Sequence, residues 1–342
     1  MMDDKKITRR DFVTAGATGT AALVIAGKAA MASPGRTPAI PTPAMTTRPL
    51  GKTGHNVKLF SLGGQATLEQ EGTRDESIAI INRAIDLGVN YIDTAASYGR
   101  GISQTYIGEV MATRRDEVFL ATKTHAYKRD DALRLLEDSL TKLQTDHLDL
   151  WQLHHVGATE HLDEIFGPGG AIEALTQAKD EGIVGNLGIT GHADPDVLAD
   201  GISRFDFDCI LMALNPSDKH HLPFTEKLLP LANEKNMGVI GMKIPARGRI
   251  FREGGITTMQ QTMSYVLSLP VSTVIVGCDN IEQLEENISI ATNFEPLSAG
   301  QKSEIEGLTA DYWDEASFYK RGAAGWGRGQ PDDQNTDWMP DF

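Results

Sequence analysis

Tyr91-Ile92-Asp93-Thr94-Ala95-Ala96-Ser97-Tyr98-Gly99, the stretch YIDTAASYG, decides how the rest of the chain is read. A β-type run, Val89 to Ile92, delivers Asp93, and five residues later a loop of small residues presents Tyr98. An acid at a strand end followed by a phenol on the next loop suits a βα barrel, where chemistry gathers at the carboxyl ends of the strands. A solvated loop with a packed tyrosine would fit the nonapeptide equally well, so its neighbours must decide.

Two further units do so. Val118 to Thr122 reads as a buried strand ending in Lys123, and Leu148 to Leu153 as another ending in His154. Lys123 follows Asp93 by 30 residues and His154 follows Lys123 by 31. A strand, a helix and two loops of a βαβ unit need about that length. Asp93, Lys123 and His154 are therefore expected at the ends of successive parallel strands, with Tyr98 just above them.

At these residues the sequence resembles the aldo-keto reductase family. Asp93 and Tyr98 within YIDTAASYG, Lys123 within ATKT and His154 within LDLWQLHH match the family's Asp, Tyr, Lys, His tetrad, and the likeness runs from about Arg48 to Asn293. The resemblance implies a (β/α)8 TIM barrel of the α/β class and an extended nicotinamide dinucleotide, NADP by family habit with NAD possible. It implies hydride transfer between that cofactor and an aldehyde, ketone or sugar-like carbonyl or alcohol. The potassium-channel β-subunits of the same family supply the alternative, a dinucleotide-binding sensor or partner subunit.

The chemistry asks for these residue types. As hydride reaches a carbonyl carbon, charge builds on oxygen and an acid must deliver a proton. Tyr98 is the candidate, but a free phenol has a pKa of about 10. Lys123 would stabilise the phenolate and lower that value. Asp93 would compensate the buried ammonium, and His154 would hydrogen-bond the substrate oxygen. Each has a plainer reading, a barrel-mouth ion pair or a satisfied core histidine; the joint placement favours catalysis.

Cofactor contacts follow from the resemblance. Gly63-Gly64 after the first strand suits close approach of a ligand or of backbone. Thr190 and Asn215 match positions that meet the nicotinamide amide, although Thr190-Gly191-His192 stands where many relatives carry Ser-Asn. The loop from Met242 through Lys243 to Gly248 matches the one that drapes over the pyrophosphate. Gly277, Gln283 and Asn287 fall in the adenosine segment, where Asp279 would repel a 2′-phosphate and so admits NAD; Arg247 or Arg249 could compensate.

The remaining strands and helices complete the barrel. Val57 to Leu62 reads as the first strand, Val184 to Ile189 as the fifth, Phe207 to Leu214 as the sixth, Gly238 to Met242 as the seventh and Val271 to Val276 as the eighth. Thr73 to Glu76 reads as a capping box before a helix with Ile78, Ile81, Ala84 and Ile85 on one face and Gly88 as its stop. Leu133, Leu136, Leu140 and Leu143 mark another helix. Ala171 to Glu181 marks one more, ended by Gly182, and Asp194-Pro195 opens the next.

The ends of the chain read differently. Residues 1–32 carry Arg9-Arg10 ahead of an Ala- and Gly-rich apolar run and close on Ala30-Met31-Ala32, resembling a twin-arginine (Tat) export signal. That run is shorter than the roughly 20 residues a membrane span requires, so export through the Tat translocon to a periplasm is expected, without a membrane anchor after cleavage. Residues 33–46 are a Pro-rich linker, residues 47–296 the barrel, and residues 297–342 a helix over Ser298 to Thr309 with an aromatic tail. Tyr312, Trp313, Phe318, Tyr319, Trp326 and Trp338 could border the substrate pocket or staple the tail to the barrel.

Composition removes other classes. The formal net charge of −15 disfavours nucleic acid and anionic membranes as partners. Two cysteines, Cys209 and Cys278, cannot ligate an iron-sulfur cluster and read as separate thiols. His154, His155 and His192 lack the usual metal-ligand groupings, so no metal is expected.

Overall fold

The structure is a computed structural model and describes residues 44–321; the export signal over 1–32, most of the linker, Trp326 and Trp338 lie outside the described residues. Two short strands come first, β1 (Thr47–Pro49) and β2 (Asn56–Lys58), paired antiparallel. Eight parallel strands then close a barrel in chain order: β3 (Phe60–Gly63), β4 (Tyr91–Asp93), β5 (Phe119–Thr124), β6 (Leu148–Leu153), β7 (Val184–Gly191), β8 (Cys209–Ala213), β9 (Gly238–Met242) and β10 (Thr273–Val276), with β10 pairing back onto β3.

Alternation along the strands sorts two cores. Tyr91, Phe119, Ala121, Leu150, Leu211 and Ile240 fill the barrel interior. Ile92, Leu120, Trp151, Ile189, Ile210 and Val274 point outward beneath the helices. Adjacent residues face opposite ways because the strand period is two. Cys209 and Cys278 are both buried and free.

Two expectations at the start of the barrel change. The run Val57 to Leu62 is not one strand: Asn56–Lys58 belongs to the hairpin and Phe60–Gly63 to the barrel. Asn90 explains the break, accepting from the Lys58 N–H at 2.9 Å and donating to the Asn56 carbonyl at 2.8 Å, so a side chain takes the place of a neighbouring strand. Leu50 and Val57 of the hairpin, both fully buried, plug the barrel floor. Arg48 ties the plug down by donating to the carbonyls of Val271 and Leu267. Met45, within the expected linker, is already packed into the core.

The first barrel helix, α1 (Arg74–Asp86), buries Ile80, Ile81, Ala84 and Ile85. Its expected capping box does not form. Thr73 instead donates its hydroxyl to the carbonyls of Thr67 at 2.7 Å and Gln70 at 2.8 Å, pinning the preceding loop. Gly88 ends the segment at φ +88°, a value that favours glycine.

Next come α2 (Ile102–Arg114), α3 (Arg129–Leu143), α4 (Thr159–Phe166), α5 (Ala171–Asp180) and α6 (Pro195–Arg204). In α3 the leucine stripe packs as expected, with Leu136, Leu140 and Leu143 buried and Leu133 at its margin. The sequence did not suggest α4, whose buried pair Leu162 and Ile165 is too short a stripe to read. Asp194 caps α6 by accepting from the Asp196 N–H at 2.8 Å, with Pro195 at the first helical position.

The chain continues through α7 (Leu228–Glu234), α8 (Met259–Leu267), α9 (Ile281–Thr292), α10 (Ala299–Gly307) and α11 (Trp313–Ala316). Beyond α10 the described aromatics act as staples. Tyr312 donates to the Ile250 carbonyl at 2.9 Å and accepts from the Ile256 N–H at 3.0 Å. Phe318 lies beneath the Arg249 guanidinium at 4.2 Å.

Candidate active site

The strand register puts the expected tetrad together in a staggered way. Asp93 pairs with Ala121 and Lys123 pairs with Gln152. Each tetrad member thus lies two residues beyond its neighbour's partner, and an even offset keeps all three side chains on the inner face. Strand tilt in the barrel supplies the stagger.

Lys123 is the hub. Its ammonium donates to an Asp93 carboxylate oxygen, to the Thr94 carbonyl at 2.8 Å and to the Tyr98 hydroxyl at 3.3 Å, so its three protons meet three acceptors. The second Asp93 oxygen accepts from the Gln152 amide at 3.1 Å and from the Tyr91 hydroxyl at 3.4 Å. Tyr98 is carried by a tight turn in which Gly99, Arg100 and Gly101 all have positive φ. A Cβ at Gly99 would stand 2.1 Å from the Glu69 carbonyl, so glycine there lets the two loops touch.

Burial sets the proton affinities. It raises the Asp93 carboxyl against the opposing pull of Lys123. Burial works against the Lys123 ammonium, but Asp93 and then Tyr98 outweigh it, and its pKa is raised. The Tyr98 phenol corrects an expectation: burial raises it by more than Lys123 lowers it, so its net shift is upward. Lys123 therefore limits the cost of forming phenolate without bringing the phenol below its ordinary value.

His154 follows β6 directly and is 1% exposed. Its ring meets Tyr98 edge-on at 5.7 Å, and its Nδ1 lies 3.5 Å from the Ser97 hydroxyl. His155 stacks on it at 3.7 Å and His192 stacks on His155 at 5.2 Å, both at 28°. Burial depresses all three imidazoles, His155 to about 3, and the neighbouring cations and imidazoles add to the effect. The stack is neutral at physiological pH.

A cavity of about 1480 Å³ opens beside Tyr98 and runs between the loops after β3, β9 and β10. Gly64, Lys243, Gly277, Gln283 and Asn287 line it, together with Asp93 and Tyr98. Gly64 serves backbone approach: a Cβ there would stand 2.9 Å from the Asp93 carbonyl. Gln283 receives the Asp279 N–H at 2.9 Å and donates to the Asp279 carboxylate at 3.2 Å. Thr190 and Asn215 lie at the ends of β7 and β8, both fully buried.

Those two differ in what they can offer. The Thr190 hydroxyl has no hydrogen-bond partner among the described residues, but neither Thr190 nor Asn215 is among the residues that line the cavity. Asn215 is fully engaged. Its amide donates to the Lys243 carbonyl at 3.0 Å and the Tyr319 hydroxyl at 2.8 Å, and its oxygen accepts from the Ser217 N–H and hydroxyl. It positions Lys243 and Tyr319 around the site.

Sequence reasoning passed over Glu69, Gln65 and Gln152 at this mouth, while Lys243 and Arg247 stand where the expected pyrophosphate loop places them. Glu69 lies 3.9 Å from Arg247 across the cavity entrance, and burial raises its carboxyl against the pull of Arg247. Lys243 holds φ +61° and donates to Gln65 at 3.5 Å, and burial pushes its ammonium well below the usual lysine range. Gln152 could have been found by counting two back from His154 along the inner face.

Comparison with known proteins agrees with this geometry. Residues 60–252 match the aldo/keto reductase family. An uncharacterized oxidoreductase of Bacillus subtilis, YqkF, is 27% identical over 294 residues, covering 72% of this chain and 91% of its own. L-galactose dehydrogenase of Arabidopsis thaliana is 27% identical over 305 residues, covering 76% of this chain and 93% of its own. Among solved structures, the holo form of aldo-keto reductase AKR11C1 from Bacillus halodurans superposes with a TM-score of 0.66 at 26% identity, covering 77% of this chain and 96% of that one.

Proposed function

The chain belongs to the aldo/keto reductase family and is an NAD(P)-dependent oxidoreductase, and we propose that Tyr98 is its general acid and base. One observation carries the proposal: Lys123, held by Asp93, donates to the Tyr98 hydroxyl at the mouth of a cavity large enough for a dinucleotide. We assign NADP(H) as the cofactor. Lys243 and Arg247, which line the cavity, suit its phosphates. When bound, the nicotinamide supplies or accepts the hydride.

The chain's own residues manage the proton. In the reducing direction Tyr98 gives its proton to the substrate oxygen, and Lys123 stabilises the phenolate left behind. Asp93 keeps Lys123 charged and in place, with Gln152 and Tyr91 fixing the carboxylate. His154, neutral, hydrogen-bonds the substrate oxygen. In the oxidising direction the phenolate takes the alcohol proton. The substrate is an aldehyde, ketone or sugar-like carbonyl or the matching alcohol, the last suggested by the name of the Arabidopsis thaliana relative.

Tyr98→Phe tests this assignment. It should lower kcat by about 10²- to 10⁴-fold, the usual contribution of a positioned acid, while NADPH still binds. Unchanged turnover would remove Tyr98 from the chemistry.

We also propose that residues 1–32 direct Tat export to a periplasm and that the folded protein carries its cofactor with it, two substrates alternately reducing and oxidising it. The motif Arg9-Arg10 and the apolar run after it support this reading. An Arg9→Lys, Arg10→Lys pair should leave the protein in the cytoplasmic fraction. Periplasmic protein isolated without dinucleotide and binding it weakly would end the carried-cofactor idea.

A further inference from the structure

One wall of the cavity is a single stretch of chain, residues 243–258 after β9, which contributes Lys243, Arg247, Gly248 and Phe251. Its start is strained. Lys243, Ala246 and Arg247 hold φ of +61°, +48° and +52°, three of the nine left-handed non-glycine residues among the described residues. Such conformations persist only where the surroundings over-determine them. The surroundings here come from the end of the fold, residues 312–321, none of which lines the cavity.

That segment grips the stretch at both ends. At the far end the Tyr312 hydroxyl donates to the Ile250 carbonyl at 2.9 Å and accepts from the Ile256 N–H at 3.0 Å, closing the small loop between them. A Cβ at Gly255 would stand 2.5 Å from that hydroxyl, so glycine there makes room for it. Ala246, Ile250 and Ile256 are fully buried in one cluster with Tyr312 and Ala316. Arg252 lies over the Tyr312 ring at 4.3 Å and pairs with Glu315. At the near end the Tyr319 hydroxyl accepts from the Asn215 amide at 2.8 Å, and the same amide donates to the Lys243 carbonyl at 3.0 Å. One amide thus joins the segment to the first residue of the strained run.

We propose that residues 312–321 are a splint for dinucleotide binding, with Tyr312 and Tyr319 as positioning residues that hold Lys243 and Arg247 ready to receive the phosphates. The proposal rests on the cofactor assignment above and adds what fixes the receiving loop. Without the splint the loop would relax to ordinary backbone conformations, and binding would have to order it again, a cost subtracted from affinity. With it the cationic side chains stand in place beforehand, and dissociation is slow because the loop opens only when the segment loosens as well. Coupling of this kind is reciprocal, so binding must in turn steady residues 312–321, although they line no part of the cavity.

Fluorescence titration with NADPH and amide hydrogen exchange of the full-length protein test the splint. Tyr312→Phe keeps the ring beneath Arg252 but leaves the Ile250 carbonyl and the Ile256 N–H unmatched. Its Kd for NADPH should rise about tenfold, mostly through faster dissociation. The rise in Tm that NADPH produces should shrink with it. Tyr319→Phe should shift Kd in the same direction by about threefold. A purely structural role would lower Tm equally with and without NADPH and leave Kd unchanged in both variants, and that result overturns the proposal. In the wild-type protein, saturating NADPH should slow exchange across residues 312–320 by about fivefold or more. Unchanged exchange there, beside slowed exchange over 243–258, overturns the proposal too, and this measurement needs no variant to fold. A wild-type protein that binds neither NADPH nor NADH overturns the cofactor assignment itself.

Discussion

Among the described residues two lysine–aspartate pairs are buried, and they do different work. Lys123 with Asp93 and Lys320 with Asp218 all have side chains at 1% exposure or less. Lys320 completes its set of acceptors with the carbonyls of His221 and Leu222, groups that exchange no proton. Lys123 completes its set with one carbonyl and the Tyr98 hydroxyl. Both ammoniums hold a carboxylate; the one that also meets a hydroxyl able to pass its proton to a substrate is chemical, and the one whose other partners are carbonyls is a rivet. The rivet holds Tyr319 against Asn215, and the chemical pair holds Tyr98 at the cavity.

The largest difference should appear in turnover. Lys123→Met should depress kcat by about 10²- to 10⁴-fold, because Tyr98 then forms phenolate with no cation beside it. Lys320→Met should leave the folded fraction's kcat far closer to wild type and instead lower the unfolding free energy by about 3–5 kcal/mol, since Asp218 is stranded. Steady-state kinetics beside urea unfolding separate the two. If Lys320→Met loses turnover as severely as Lys123→Met, the distinction fails.

Removing both partners carries the contrast further. Asp218→Leu with Lys320→Met should recover most of the lost stability, because a buried pair can be replaced by apolar groups at little cost. Asp93→Leu with Lys123→Met should recover no turnover, whatever its stability. A chemical-denaturation midpoint for the first and a rate for the second suffice.

Acid addresses the neutral imidazole stack next to the chemical pair. His154, His155 and His192 have pKa values lowered by folding, so the unfolded chain binds more protons than the native one below the unfolded value of about 6.5. Their contribution to stability is complete above that pH and declines as pH falls toward the His155 value of about 3. His155→Phe should flatten this part of the stability profile, and an unchanged slope would mean that the ring is already protonated in the fold.

The smallest effect lies at the far end of the cavity. Asp279, Gln283 and Glu286 line it there. Asp279→Arg should tighten NADPH relative to NADH by roughly tenfold, by replacing a repulsive charge with a charge-assisted bond. Fluorescence titration with both dinucleotides reads this directly.

The two pairs also mark what a sequence reveals. Asp93 and Lys123 announce themselves because each ends a strand and one βαβ length separates them, so local pattern and repeat spacing determine where they meet. Lys320 lies 102 residues from Asp218, in a segment with no period to read. Asn215 shows the same limit from the other side. Its position suits a ligand contact, yet Tyr319, 104 residues away, and the Lys243 carbonyl take its amide protons. Thr73 sits where a cap belongs but bonds the loop before it, a choice made by tertiary proximity. The histidine stack was visible as His154-His155 and His192, but only ring distances separate a stack from scattered rings.

The hairpin under the barrel has a practical consequence. Leu50 and Val57 close the floor, so the barrel has one working end, and the chain enters the fold at Met45, next to Phe60 at the foot of β3. A bead or electrode joined to the protein at Met45 should therefore leave the mouth turned to the bulk solution, without any designed spacer on the catalytic side.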